Sequence, residues 1–240
     1  MATKIIDIPE IGAVTLYKRR GNRSLRLSVA ADGEIRVSLP AWVPYKAGEQ
    51  FARSKIEWIS AHRGPKSNGL LHGQAVGKAH RLHFAPSAAA TKVSTRLQQN
   101  RIEITHPVIY QTGDPIVQKA AQSASIRALR KEAEMLLPQR LRDLALKTGF
   151  TYRSVGVKQL KSRWGSCSAQ QDIILNLFLM QLPWHLIDYV LLHELTHTRV
   201  MQHGAPFWKE LERHVPRARA LRKEIGNHHP ILFTQPADMQ

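Results

Sequence analysis

The stretch Asp188-Tyr189-Val190-Leu191-Leu192-His193-Glu194-Leu195-Thr196-His197 decides how the second half of this 240-residue chain is read. Asp188 to Leu192 is mostly apolar and suits a buried helix better than a surface loop. Pro183 marks where that helix opens, because proline fits a first helical turn. His193 and His197 are four residues apart, which on a helix puts both imidazoles on one face, one turn apart, able to grip one ion. Glu194 lies next to the first histidine and points to the same open side, where a carboxylate can take a proton from water activated by the ion. This pattern is expected roughly 0.03 times by chance in a chain of this composition. A charged group in so apolar a helix needs a partner, and a metal ion supplies one.

Two imidazoles are one short of the three protein ligands that a catalytic zinc takes. His203 stands six residues beyond His197 and just before Gly204. If the helix ends between Arg199 and Gln202, His203 swings back to the ion. Glu210, Glu212 and His214 compete for the same role. Positions 1, 5 and 11 match metzincin spacing, but Val200 stands where metzincins have glycine and no Met-turn is identifiable, so the match is a geometric analogy. A closed structural zinc site usually draws on cysteines. Here Cys167 is the only one, and such a site leaves Glu194 without a task.

Outward from the motif, Val155–Leu160 and Asp172–Leu175 read as strands, and Asn227 onward as a loose tail. Asp114 and Pro115 read as the cap and first turn of a helix running to Lys147, which Pro138 must kink or split and Gly149 terminates. Gln111 to Pro115 is the best boundary, giving domains 1–113 and 114–240. In the first, Leu25, Leu27 and Val29 alternate with polar residues, as do Ile35, Val37 and Leu39. A three-residue turn, Ala31-Asp32-Gly33, sets Val29 against Ile35 and Leu27 against Val37, leaving Arg26, Ser28, Glu34 and Arg36 wet. Pro44 to about His62 reads as one helix with Ala47, Phe51, Ile56, Trp58 and Ile59 near one face. Short strands follow at Arg81–Phe84, Lys92–Leu97 and Arg101–Thr105. The fold class is therefore α+β, a small β-rich domain followed by a helix-rich one.

The formal net charge is +17, spread as +9 over residues 1–115 and +8 over 116–240. A field of this sign attracts polyanions, and nucleic acid is a candidate partner. No apolar stretch approaches the ~20 residues that span a bilayer. No secretory signal is visible, and a single cysteine excludes an intrachain disulfide, so a cytoplasmic location is the default. Cys167 reads as structural rather than nucleophilic, Trp164 as core, Gly165 as a tight backbone approach to the site, and Asn176 as a turn cap. Phe207 and Trp208 read as packing that holds His203. Histidines outside the motif, such as His80 and His83, read as surface residues.

Arg163-Trp164-Gly165-Ser166-Cys167, Leu175-Asn176, Asp188-Tyr189-Val190, the His193–His197 motif, His203-Gly204 and Phe207-Trp208 together resemble the YgjP-like metallopeptidases, zincin relatives with broader similarity to SprT-like proteases. The likeness is strongest over residues 160–214 and extends through Ser24–Pro40 and Trp58-Ile59. It implies a zincin-like catalytic domain, Zn²⁺ held by His193, His197 and His203, Glu194 as catalytic base, and a protein or peptide substrate. The likeness to SprT and the charge leave a nucleic-acid-associated protease as an alternative, and a non-catalytic zinc-binding module is another. By fold analogy, the strand at Asp172–Leu175 is expected to be an edge onto which a peptide adds.

Overall fold

The computed structural model describes residues 3–29, 34–62 and 69–232. The chain forms two compact units, residues 1–68 and 69–240.

In the first unit, β1 (Thr3–Ile8), β2 (Gly12–Arg19), β3 (Arg26–Val29) and β4 (Ile35–Pro40) make a sheet of order β1-β2-β4-β3. The expected pairing holds, with Val29 opposite Ile35 and Leu27 opposite Val37. The turn assigned to Ala31-Asp32-Gly33 lies outside the described residues. Ile35, Val37 and Leu39 are fully buried, while Arg26, Ser28 and Arg36 are exposed and Glu34 is intermediate, so the period-two pattern gave the right faces. Two further strands, β1 and β2, were not foreseen. The helix expected over 44–62 is two helices, α1 (Tyr45–Arg53) and α2 (Ile56–His62). At the break the Ser54 hydroxyl donates to the Phe51 carbonyl at 2.9 Å, an alternative to continuing the ladder. Ala47, Phe51, Ile56 and Ile59 pack on the core, but Trp58 is 41% exposed.

The second unit starts with β5 (Ala75–Val76), β6 (His80–Ser87), β7 (Ser94–Leu97) and β8 (Arg101–Pro107), in the order β5-β6-β8-β7. This sheet shares its core with α3 (Pro115–Thr148): Leu82, Phe84, Ile102 and Ile104 cluster with Val117, Ala121, Ala124 and Ala128. The compact units therefore divide at 68/69, whereas the turn chemistry of Gln111–Pro115 had suggested 113/114. That turn joins a sheet to the helix packed on it. Buried Glu132 fastens the two. Its carboxylate accepts the N–H groups of Lys78 (2.7 Å) and Ala79 (3.1 Å) and lies 2.5 Å from His80 Nδ1. Gly77, at φ +66, leaves room for it, since a Cβ there would sit 2.2 Å from Glu132 Oε2. His80 and His106 are thus buried rather than on the surface, His80 because this carboxylate partners it.

Helix α3 runs unbroken for 34 residues, through Pro138. Leu137 and Leu141, both fully buried, anchor it on either side of the proline, so packing outweighs the lost hydrogen bond. Gly149 ends it at φ +72, donating to the Ala145 carbonyl. The Asp114 carboxylate accepts from Gln111 N rather than from the helix. Beyond α3 come β9 (Ser154–Lys158), β10 (Gly165–Cys167) and β11 (Asp172–Asn176), ordered β10-β11-β9. The strand expected at an edge, β11, is central: it pairs β10 antiparallel and β9 parallel. A 3-10 turn (Leu177–Gln181), α4 (Trp184–His197), α5 (Ala205–His214) and α6 (Ala218–Ile225) complete the unit. No helix among the described residues is long and apolar enough to cross a membrane.

Candidate metal centre

Helix α4 is apolar nearly all round, and Leu186, Ile187, Leu191 and Leu195 are fully buried. Arg140 of α3 grips Asp188 near its start with two hydrogen bonds, at 2.8 and 2.6 Å, which fixes the helix against its neighbour. The helix ends at His197, slightly earlier than the sequence suggested, with Thr198 as its C-cap. The chain then turns, Val200 N donating to the Thr196 carbonyl, and brings His203 back over the last turn.

The result is a convergence of three nitrogens. His193 Nε2 lies 3.2 Å from His197 Nε2 and 3.0 Å from His203 Nε2, and the last two are 3.1 Å apart. Nitrogens bound to one tetrahedral ion at ~2.0–2.1 Å lie roughly 3.3 Å from one another, so the three fit a single metal ion. Burial, reinforced by the neighbouring imidazoles, pushes His193 down to about 3, and burial also lowers His197. Both rings are therefore neutral at physiological pH, with lone pairs free for a metal. His197 Nδ1 meets the Val200 carbonyl at 3.1 Å, which sets its tautomer. The other ring nitrogen of His193, Nδ1, is buried without a hydrogen-bond partner among the described residues.

The competing ligands are occupied elsewhere. Glu210 pairs with Arg199 and Arg213, Glu212 with Arg219, and His214 stacks edge-on against Phe150. Phe207, fully buried at the start of α5, touches all three imidazoles, with ring centroids 4.8, 4.6 and 4.7 Å from His193, His197 and His203. The packing role expected for Phe207 is thus observed, and it reaches all three rings.

Glu194 is 6% exposed and lies beside β10. Burial pushes its carboxyl up to about 8, opposed by the charge of Arg163. A Cβ on Gly165 would come within 2.7–2.9 Å of the Glu194 side chain, so the glycine is what admits the carboxylate there. Gly165 is the tight approach read from the sequence, and its partner is Glu194. Trp164 packs on the core, and Asn176 caps the 3-10 turn by accepting from Phe178 N at 3.2 Å. Burial raises the Cys167 thiol to about 11, which leaves it protonated and a poor nucleophile.

The three histidines, Glu194 and Gly165 line a cleft of about 330 Å³, whose other walls are Arg163, Ser166, Cys167 and Met201. Sequence reasoning assigned no site role to Arg163, Ser166 or Met201. Arg163 and Ser166 stood only as members of a block that carries the resemblance, and Met201 only as a neighbour of the motif, because the strand that carries Ser166 is three residues long and leaves no periodicity to read.

A family model described as YgjP-like, metallopeptidase domain, matches residues 23–228. Among solved structures, the metallopeptidase zymogen abylysin of Pyrococcus abyssi is similar at 24% identity and a TM-score of 0.36, over 38% of this chain and 93% of that one. The metallopeptidase zymogen jannalysin of Methanocaldococcus jannaschii is similar at 20% identity and a TM-score of 0.34, with the same coverage. No curated protein matches the chain.

Proposed function

The chain belongs to the YgjP-like metallopeptidase-domain family, and from that premise we propose that it hydrolyses peptide bonds with a zinc ion held by His193, His197 and His203 and with Glu194 as general base. The observation that carries the reading is the convergence of three imidazole nitrogens within 3.0–3.2 Å beside a buried carboxylate on an open cleft. Zinc suits a site of neutral imidazoles, and when bound it supplies a Lewis acid for the scissile carbonyl and acidifies water.

The chain's own groups do the rest. The Glu194 carboxylate accepts a proton from the attacking water as its oxygen bonds to the carbonyl carbon. The resulting carboxylic acid then passes that proton to the amide nitrogen as the C–N bond breaks. Burial raises the carboxyl's affinity for a proton, which suits the general base, and a metal ion on the histidines would favour the ionised form that begins the task. Gly165 keeps the carboxylate in place by yielding its side-chain volume. An extended peptide has a ladder to join at β10, the terminal strand of its sheet, whose residues line the cleft. Strand β11 cannot serve, being paired on both sides.

The open side of the site favours catalysis over a structural zinc module. Among the described residues no fourth ligand joins the three histidines, and Glu194 would have no role in a closed site. Chelation of the metal is expected to abolish peptide hydrolysis, and one equivalent of Zn²⁺ per chain to restore it. Undiminished hydrolysis by a protein shown to be metal-free would overturn the proposal.

A further inference from the structure

The charged groups of the cleft are unevenly matched. Beyond the three imidazoles and Glu194, its wall holds one permanent cation among the described residues, Arg163. Three other arginines of the unit are paired: Arg140 with Asp188, Arg153 with Asp172, Arg199 with Glu210. The Arg163 guanidinium is exposed and makes no hydrogen bond or ion pair with any described residue. Its backbone, by contrast, is pinned. Fully buried Asn176 donates from Nδ2 to the carbonyls of Leu160 (2.9 Å) and Arg163 (2.8 Å), and its backbone N–H donates to Trp164 O at 2.9 Å. A fixed main chain thus carries a free planar fork of donors at the wall of the site.

A surface arginine of this kind could simply be solvated. Its place argues otherwise. Among the described residues Glu194 is the only carboxylate lining the cleft, and a divalent ion on the histidines would bring two positive charges to set against it. Ion, Arg163 and Glu194 together leave the cleft net positive, within low-dielectric walls that concentrate the field. Guanidinium is the group best shaped to take a carboxylate with two parallel hydrogen bonds.

We infer that Arg163 is a specificity-determining residue that selects substrates carrying a carboxylate within a side chain's reach of the scissile bond. The inference rests on the peptidase reading for the word substrate, but the binding it describes does not need turnover. Two sources offer that carboxylate: an Asp or Glu side chain flanking the bond, or the free C-terminus of a short peptide.

Peptide hydroxamates, which hold to a metal ion whether or not the protein cleaves peptides, separate these cases. The zinc-loaded full chain would be titrated calorimetrically with matched pairs carrying Asp or Asn at the first or second residue from the hydroxamate, and with C-terminal acids against their amides. One carboxylate probe is expected to bind about tenfold more tightly than its neutral twin, as suits a partly solvated charge-assisted pair. A preference in the Asp/Asn pairs assigns the side chain; a preference in the acid/amide pairs assigns the C-terminus. In Arg163→Gln the preference should vanish while the neutral probes bind as before, and Arg163→Lys should keep part of it. Equal binding of all pairs to the unaltered protein, or an unchanged preference in Arg163→Gln, overturns the inference. So does a uniform loss of hydrolysis of neutral and acidic peptides in Arg163→Gln with probe binding intact, which would make Arg163 a transition-state group. Preserved probe preference without hydrolysis of any peptide would sink the peptidase reading and leave the role of Arg163 standing.

Discussion

Gly165 shows how closely the site depends on single atoms. A methyl group there would sit 2.7 Å from Glu194 Oε1, too close for the carboxylate to stay. Gly165→Ala is therefore expected to lower kcat by about tenfold or more, since small displacements of a reacting group are costly. Zinc affinity should be unchanged, because the three atoms a Cβ would meet first all belong to Glu194. Kinetics alongside a zinc titration would check both, and a variant with undiminished kcat would show that the contact is irrelevant. At this scale the sequence was informative where chemistry fixes spacing. The intervals singled out His193, Glu194 and His197, left His203 in competition with Glu210, Glu212 and His214, and Gly165 could be picked as a close approach. What the glycine approaches could not, because Glu194 lies on another element 29 positions away and only the fold joins them.

The elements that build the site differ in how plainly the sequence announces them. Helix α4 was legible from its proline start and apolar run, and α5 carries its message in Phe207 and Trp208. Phe207 fills the space under three imidazoles at once, with centroids within 4.8 Å of each. Phe207→Leu should cost about 1 kcal/mol of stability, as a near volume-conserving core change. Zinc affinity should weaken by about tenfold as the rings lose their support. Metal titration with thermal unfolding measures the two effects separately, and unaltered affinity would mean that the backbone alone places the histidines. The strands were harder to read. β3 and β4 alternate cleanly and their register was predictable, but β5 has two residues and β10 three, too few to show a period. The order β10-β11-β9 leaves β10 and β9 terminal, and the one whose residues line the cleft is the one the sequence hid. In α3, Pro138 argues for a kink or a split; the split does not occur, the leucines on either side being buried.

For the molecule as a whole, the boundary at 68/69 matters most. The apolar residues of 69–232 form a core of their own, and those of the first unit form another. Helix α3 is common to the strands before it and the metal-bearing helices after it, which is why a cut at 113/114 would strip those strands from it. A fragment of residues 69–240 is accordingly expected to unfold cooperatively and to bind one zinc ion. One starting at residue 114 should not. Calorimetry on the two fragments decides between the boundaries, and equal behaviour would contradict the shared core. The positive charge follows no such division, at +6 for residues 1–68 and +11 for 69–240, so no single segment stands out as a polyanion-binding tail.

Every scale meets at Glu194, the one group whose proposed role is chemical rather than structural. Replacing it by Gln keeps its size and removes its basicity. Zinc content and peptide hydrolysis measured together on Glu194→Gln test that role directly. One zinc per chain with hydrolysis lost is the expected result; one zinc per chain with hydrolysis retained would contradict it.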